Sequence, residues 1–457
     1  MRGYIMTVQS NYNRSDLLKE TIRMAWPAVL ESFFVSLAGM IDTMMVSSMG
    51  TYAVASVGLT TQPKFIMLAV FFSCNVAVSA LVARRRGQDN RQNANEILLT
   101  AMWFTVIACI ILTVVSVAFA HQIINLAGSN ADTHDAGVLY FRVIQAGMIF
   151  NVISLVINAA QRGSGNTKIA MRTNITSSIV NIIFNYLLIG GHFGFPKWGI
   201  FGAAFATVLG TVAAAAMSIH SLFDKNSYVS LPYIFKEKIR PHFDSLASIT
   251  RLGSNMFVEN LAMRVGFLTT AILAAKLGTE AFAAHQVGMN FLSLGFSFGD
   301  GMQVAAVALI GRSLGENNPE KAKTYGSLCQ RTGLAISFCL ALILFFFGRS
   351  LFSLFFTEPE VLDMGVLICN YIIVIVLFQI SQIIFGGCLR GAGDMKYCLF
   401  ASLISVTLIR TIVTWVLTSI FHLGLNGIWI GVLSDQVSRF IFLSLRFRQG
   451  EWTKVRI

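Results

Sequence analysis

Two carboxylates, Glu31 and Asp42, stand eleven residues apart (42 − 31 = 11) in an apolar stretch over residues 26–50. That stretch reaches the roughly 20 residues a helix needs to cross a bilayer. Eleven residues make about three helical turns, so the two acids share one face, roughly 16 Å apart along the axis. A bare carboxylate in hydrocarbon costs at least about 2.5–3.5 kcal/mol, and such groups mark ion or substrate paths. An acid held there can take up H⁺ or Na⁺ from one side and release it to the other. Pro27, one turn before Glu31, removes a backbone hydrogen bond and can bend the helix near its start. Other chemistry is poorly represented. The seven cysteines form no close CxxC pair and read as apolar fillers, with no disulfide or metal. No nucleophile–base pair, HExxH or paired catalytic Asp motif occurs, and no nucleotide-binding domain, so the chain is not read as an enzyme.

The elements that must position these acids are membrane spans. Of 457 residues, 55% are hydrophobic and 12% charged, whereas soluble domains run near 25% charged. Apolar blocks recur from end to end and predict an all-α membrane protein of twelve spans. These lie at 22–49, 54–83, 95–118, 138–160, 170–189, 199–222, 251–277, 283–311, 325–347, 364–388, 398–420 and 427–445. Residues 1–21 read as a polar cytoplasmic tail and 223–250 as a cytoplasmic linker. They divide the chain into an N-terminal lobe with its tail (1–222), the linker (223–250) and a C-terminal lobe (251–457).

The net charge of +12 does not imply nucleic acid. Of 34 Lys and Arg, 26 fall in one alternating set of loops and tails, among them Arg84, Arg85, Arg86, Arg162, Arg240, Arg390 and Lys396. The opposite loops hold Lys197 and Arg349. This positive-inside bias places both termini in the cytoplasm and predicts a multi-pass protein of the bacterial plasma membrane.

The two halves repeat. Gly50 in MGTYAVASVG matches Gly278 in LGTEAFAAHQ (278 − 50 = 228). Glu31 then matches Glu259, Gly87 matches Gly315 and Gly163 matches Gly391, all at the same offset of 228. Six spans per half is an even number, so the repeats are parallel, and such repeats commonly hold a substrate path between or within them.

These landmarks resemble the multidrug and toxic compound extrusion (MATE) family of cation antiporters. The matching pieces are WPAVLES with MIDTMMVSSMG, LGTEAFAAHQVGMN, ALIGRSLGENNPEKA and LRGAGDMK, in this order across nearly the whole chain. The resemblance implies two six-helix lobes in a V. It also implies export of organic, often cationic and aromatic, compounds driven by inward Na⁺ or H⁺. Asp42 matches the family's first-helix carboxylate, a cation-site member, and Asn181 and Asn185 match the polar fifth-helix positions beside it. Asn158 falls at a polar fourth-helix position of the same lobe. The chain departs from the sodium-coupled branch in two places. Gln379 stands where that branch has an Asp, and Glu259 lies about one turn from its seventh-helix carboxylate.

Counting deep charges, the second half holds Glu259, Asp300 and Asp435 against Arg264, Arg410 and Arg439; the first holds Glu31 and Asp42 against Lys64. The surplus negative charge falls in the first half, with Na⁺ a candidate metal at Asp42. A salt bridge from Asp42 to Lys64 is the rival reading. Glu31 and Glu259 can serve substrate or join helices. Asp300 can line a second-lobe cavity or pair with Arg264 or Arg410. Gln379 is the remaining second-lobe candidate. Asp435 and Arg439, four apart, predict a local ion pair, and His285 reads as a satisfied structural histidine. The function expected is secondary active export of organic, cationic and aromatic compounds coupled to inward Na⁺ or H⁺. No cofactor beyond that ion is expected. The partners are small organic molecules and membrane lipid, with no nucleic acid, and a monomer is expected. The alternative is a flippase for lipid-linked saccharides, which would favour a strongly cationic cavity.

Overall fold

The computed structural model describes residues 14–455 except 50, 128, 130–132, 354, 356 and 357. The first 13 residues of the expected tail and the Gly50 landmark lie outside the described residues.

Every described element is helical. In chain order the helices are α1 (Arg14–Ser47), α2 (Thr51–Gly87), α3 (Arg91–Ala118), α4 (Ala120–Leu126), α5 (His134–Ala146), α6 (Met148–Gly163), α7 (Thr167–Gly190) and α8 (Gly199–Ser221). After the short α9 (Leu231–Lys236) come α10 (Phe243–Ala275), α11 (Thr279–Gly315), α12 (Pro319–Phe352) and α13 (Pro359–Ala392). The last two are α14 (Met395–Ile420) and α15 (Gly424–Gln449). Among the described residues eleven helices are long and apolar enough to cross a bilayer, and α5 with α6 makes a twelfth, broken span bent by 45°. The break falls at Gly147, where Val208 of α8 fills the space a Cβ would need. The fold is the expected twelve-span bundle of two repeated lobes.

Two boundaries differ from the sequence reading. Residues 14–21, read as the end of the polar tail, form the first turns of α1. They are held by Glu20, whose carboxylate accepts from Arg312 Nη1 at 3.1 Å and from the Tyr325 hydroxyl. Within the stretch 223–250 the last residues already belong to α10, and the short α9 has Pro232 in its first turn. Arg91 donates to the carbonyls of Ser227 (2.7 Å) and Tyr228 (3.0 Å) and lies over the Tyr233 ring at 4.3 Å. Polar side chains on α3 thus replace the water that such a segment would otherwise need for its backbone.

The lobes meet through α1 against α11 and, as the repeat requires, α10 against α2. At their arginine-bearing ends α2 and α11 cross backbone to backbone. A Cβ on Gly87 would lie 2.8 Å from Gly315 Cα, and one on Gly315 would lie 2.8 Å from Gly87 Cα. The repeat-related glycines therefore touch each other, which only residues without a side chain allow at that separation. Gly163 packs on the Ser79 carbonyl and Gly391 on the Val307 carbonyl, a second pair of identical contacts (307 − 79 = 228).

Candidate functional site

Asp42 projects from α1 toward α7. Asn181 and Asn185 are four apart and so share one face of α7. Asn185 Nδ2 donates to Asp42 Oδ1 and lies 3.5 Å from Asn181 Oδ1. Asn181 Nδ2 in turn donates to Thr207 Oγ1 on α8 at 3.1 Å. Asn185 is fully buried, yet its Oδ1 accepts no hydrogen bond. An unmet buried acceptor costs about 1–3 kcal/mol, and here it stands beside a carboxylate. Carboxylate and amide oxygens together form a hard donor set suited to Na⁺ or to a proton on the acid. Lys64 of α2 is within electrostatic reach of Asp42, but their charged atoms form no ion pair within 4.0 Å. Instead Lys64 lines a small hollow with Asn151 and Thr207.

Asn158 is not brought to this group. Its Nδ2 donates to Ser154 Oγ (3.2 Å) and Thr173 Oγ1 (2.9 Å), and its Oδ1 accepts from Ser218 Oγ at 3.3 Å. Those bonds tie α6 to α7 and α8.

Glu31 and Glu259 occupy repeat-related settings. Arg162 and Asn174 donate to Glu31 Oε1; Arg390 (2.7 Å) and Ser402 (2.7 Å) donate to Glu259 Oε1. Each partner obeys the repeat, with 390 − 162 and 402 − 174 both equal to 228. The arginines of the two Gly-rich turns thus reach back into the bundle and close a buried ion pair in each lobe. This overturns the charge count made from sequence, which left both arginines in loops. With them included, the first half falls to neutral (Glu31 and Asp42 against Lys64 and Arg162). The second gains one positive charge from Arg390.

Between the lobes lies a cavity of about 750 Å³. Its walls follow the repeat, with Ser32 facing the role of Asn260, Val35 that of Met263 and Asn75 that of Gln303. The symmetry breaks in charge at Phe72 in the first lobe against Asp300 in the second (300 − 72 = 228), and at the wall residues Arg264 and Arg439, whose counterparts are Ser36 and Thr211. The Asp300 side chain is open to the cavity and, among the described residues, forms no ion pair, so it joins neither Arg264 nor Arg410. Arg264 also faces the cavity, its guanidinium over the Phe65 ring at 4.9 Å. Asp42 is absent from the cavity wall and lies within the first lobe, yet α1 carries both Asp42 and the wall residues Ser32 and Val35.

Gln379 is fully buried between α13 and α11, where its Nε2 donates to the Leu292 carbonyl at 3.3 Å and its Oε1 meets no donor. It does not line the cavity. His285 is buried edge-on to Trp429 with ring centroids 5.6 Å apart, and its Nδ1 has no partner, contrary to the satisfied histidine expected. Asp435 pairs with Arg439 (2.8 Å) and also, unforeseen, with Arg410 (3.5 Å). Thr207 and the buried Tyr140 beside it were missed as neighbours of Asp42. Hydroxyl residues recur throughout the apolar helices, and spacing alone does not single these two out.

Comparison with known proteins gives a consistent picture. The MatE family model matches residues 27–187 and again 256–416. A probable multidrug resistance protein NorM of Thermotoga maritima is 28% identical over 442 residues, covering 96% of this chain and 94% of that protein. A NorM of Bacillus cereus is 24% identical over 95% of this chain and 96% of its own length. An outward-facing multidrug resistance MATE family transporter of the MOP superfamily superposes with a TM-score of 0.88 at 21% identity, over 97% of this chain and 99% of that one. A MOP superfamily transporter from Pyrococcus furiosus gives 0.87 at 21% identity, over 98% and 100%.

Proposed function

The chain belongs to the MatE family of multidrug transporters, and on that premise we propose that it exports organic, cationic and aromatic compounds in exchange for an inward-moving Na⁺ or H⁺. It is a multi-pass membrane protein; on the same reading it sits in the bacterial plasma membrane with both termini cytoplasmic and works as a monomer. The observation that carries the coupling half of the proposal is the carboxylate of Asp42, half-buried in the first lobe, beside the buried and donorless Asn185 Oδ1. The substrate half rests on the inter-lobe cavity, where Asp300, a carboxylate with no ion pair among the described residues, stands with the apolar side chains of Phe72, Met263, Phe267 and Phe296; of the arginines on the same wall, Arg162, Arg390 and Arg439 are held by carboxylates and Arg264 lies over Phe65.

In this reading ion and substrate do not contend for one acid, the simplest form of exchange. Asp42 lies off the cavity, so the two sites communicate through α1, the helix common to both. A cation at Asp42 screens its charge and changes how α1 is held to α7. The Ser32 and Val35 wall then shifts with the same rigid helix. Substrate and ion thereby favour different arrangements of the first lobe, which is what exchange requires.

The test is uptake of a fluorescent aromatic cation by proteoliposomes under an imposed Na⁺ or pH gradient. Uphill movement of the dye driven by one of these gradients supports the proposal; transport that merely equilibrates the dye under both contradicts it. In the same assay Asp300→Asn is expected to raise the KM for the cationic dye about tenfold or more, the effect of losing one charge-assisted contact. The KM for a neutral substrate should stay within error.

A further inference from the structure

The 228-residue offset also relates the surroundings of Asp42 to a place in the second lobe. It carries Asp42 to Thr270 on α10, Asn181 and Asn185 to Ile409 and Val413 on α14, and Thr207 to Asp435 on α15. The acid has moved from the first helix of the lobe to the last, and both amide positions have become aliphatic. Between Thr270 and Asp435 lies the Arg410 guanidinium. Its Nε donates to Thr270 Oγ1 at 2.9 Å and its Nη1 stands 3.5 Å from Asp435 Oδ2. Arg410 is 1% exposed and lies over the Phe267 ring at 4.6 Å. Resting on the reading of Asp42 above, we propose that Arg410 holds by covalent tether the place that a free coupling cation takes in the first lobe, so that each chain has one exchangeable cation site.

Three features support this. First, Arg410 ends a π-helical run over Leu403–Arg410. The extra residue per turn rotates α14 relative to α7, and it brings Arg410 inward, whereas its counterpart in α7 is Ile182. Second, the Asp435 carboxylate is saturated. Its Oδ1 accepts from Arg439 Nε (2.8 Å), and its Oδ2 from Arg439 Nη2 (3.1 Å), Gln436 Nε2 (3.0 Å) and Arg410. Asp42, by contrast, has among the described residues the single amide donor Asn185, beside an amide oxygen without a donor. Third, a guanidinium keeps its charge at any working pH, so this cation is neither released nor exchanged. Two guanidinium groups around one carboxylate also repel any further cation. The clasp of α10, α14 and α15 is therefore permanent, and the clasp of α1, α7 and α8 forms and loosens with the ion.

The proposal is tested on the purified full-length protein with a hydrophobic carbodiimide, to which protonated carboxyl groups inside a membrane add, giving an O-acylisourea that rearranges to a stable N-acylurea, followed by peptide mapping. Labelling at Asp42, suppressed by the coupling cation, with none at Asp435 is expected. Labelling at Asp435 that Na⁺ or pH suppresses in parallel with Asp42 overturns the proposal and leaves the Asp42 reading intact. Absence of labelling at Asp42 overturns that reading, and this proposal with it. Because Arg439 also holds Asp435, the variant is Arg410→Met with Arg439→Met, which should make Asp435 reactive and protectable by the cation that protects Asp42, whereas Arg410→Lys with Arg439→Met should not. Reactivity in the double Met variant without cation protection, or none at all, would mean that the arginine serves packing alone. If the double Met variant does not fold, the wild-type map still decides.

Discussion

Asp42→Asn is expected to fold and express as the parent does and to lose gradient-driven export, leaving only the passive leak seen in liposomes without a gradient. The substitution keeps the size of the side chain and its capacity to bond Asn185, so the packing of α1 on α7 persists. It removes the one negative charge of a site otherwise built of neutral amides and a hydroxyl. No other carboxylate can take its place. Glu31 and Glu259 are committed to arginines, Asp435 to two of them, and Asp300 lies in the cavity. Proteoliposome export at equal protein density is the measurement. Retention of parental uphill export would remove Asp42 from the mechanism. Misfolding that a second change, neutralising Lys64, repairs would instead make the pair a structural one.

The largest stability effect is expected at the repeat-related ion pairs. Arg390→Met leaves the Glu259 carboxylate, 1% exposed, without its guanidinium. Breaking a buried pair from one side costs about 3–5 kcal/mol, chiefly through the uncompensated charge that remains. The double variant Glu259→Gln with Arg390→Met should recover most of that loss, since no charge is then stranded. Thermal unfolding of the purified protein in one detergent would show the single variant well below the double. Equal unfolding temperatures would mean that the pair contributes nothing to the fold. Arg390 Nη1 also reaches Gln303 at 2.5 Å on α11, so part of the cost falls on the contact between α13 and α11.

How much of this was legible from the sequence varies with the range of the interaction. The spans were, because apolar runs and glycine turns are local signals. The repeat was, because one offset recurs along the whole chain. The ion pairs of Glu31 and Glu259 were not. Arg162 and Arg390 sit in polar turns by every local criterion, and only the long reach of a guanidinium carries them inward. A signal was nonetheless present, since opposite charges recur at both ends of the same offset, Glu31 with Glu259 and Arg162 with Arg390. Charge conserved between repeats marks a contact that both lobes need. The Asp435–Arg439 pair was legible because it is a one-turn contact on one helix. Arg410 joins it from another helix through a π-helical register that no residue spacing announces. For Asp300 the sequence offered three settings, and packing of the two lobes decides among them by leaving its carboxylate open to the cavity.

The central claim is that occupancy of Asp42 by the coupling cation and occupancy of the inter-lobe cavity by substrate oppose each other through α1. Equilibrium binding of the fluorescent aromatic cation to purified protein, titrated with Na⁺ and separately with H⁺, tests it most directly. Linkage is reciprocal, so a cation that weakens dye binding must do so through a site the protein can lose. The account predicts that the dye Kd rises with one of the two cations in the parent protein and is insensitive to it in Asp42→Asn. The same cation dependence in both proteins, or none in either, would contradict it.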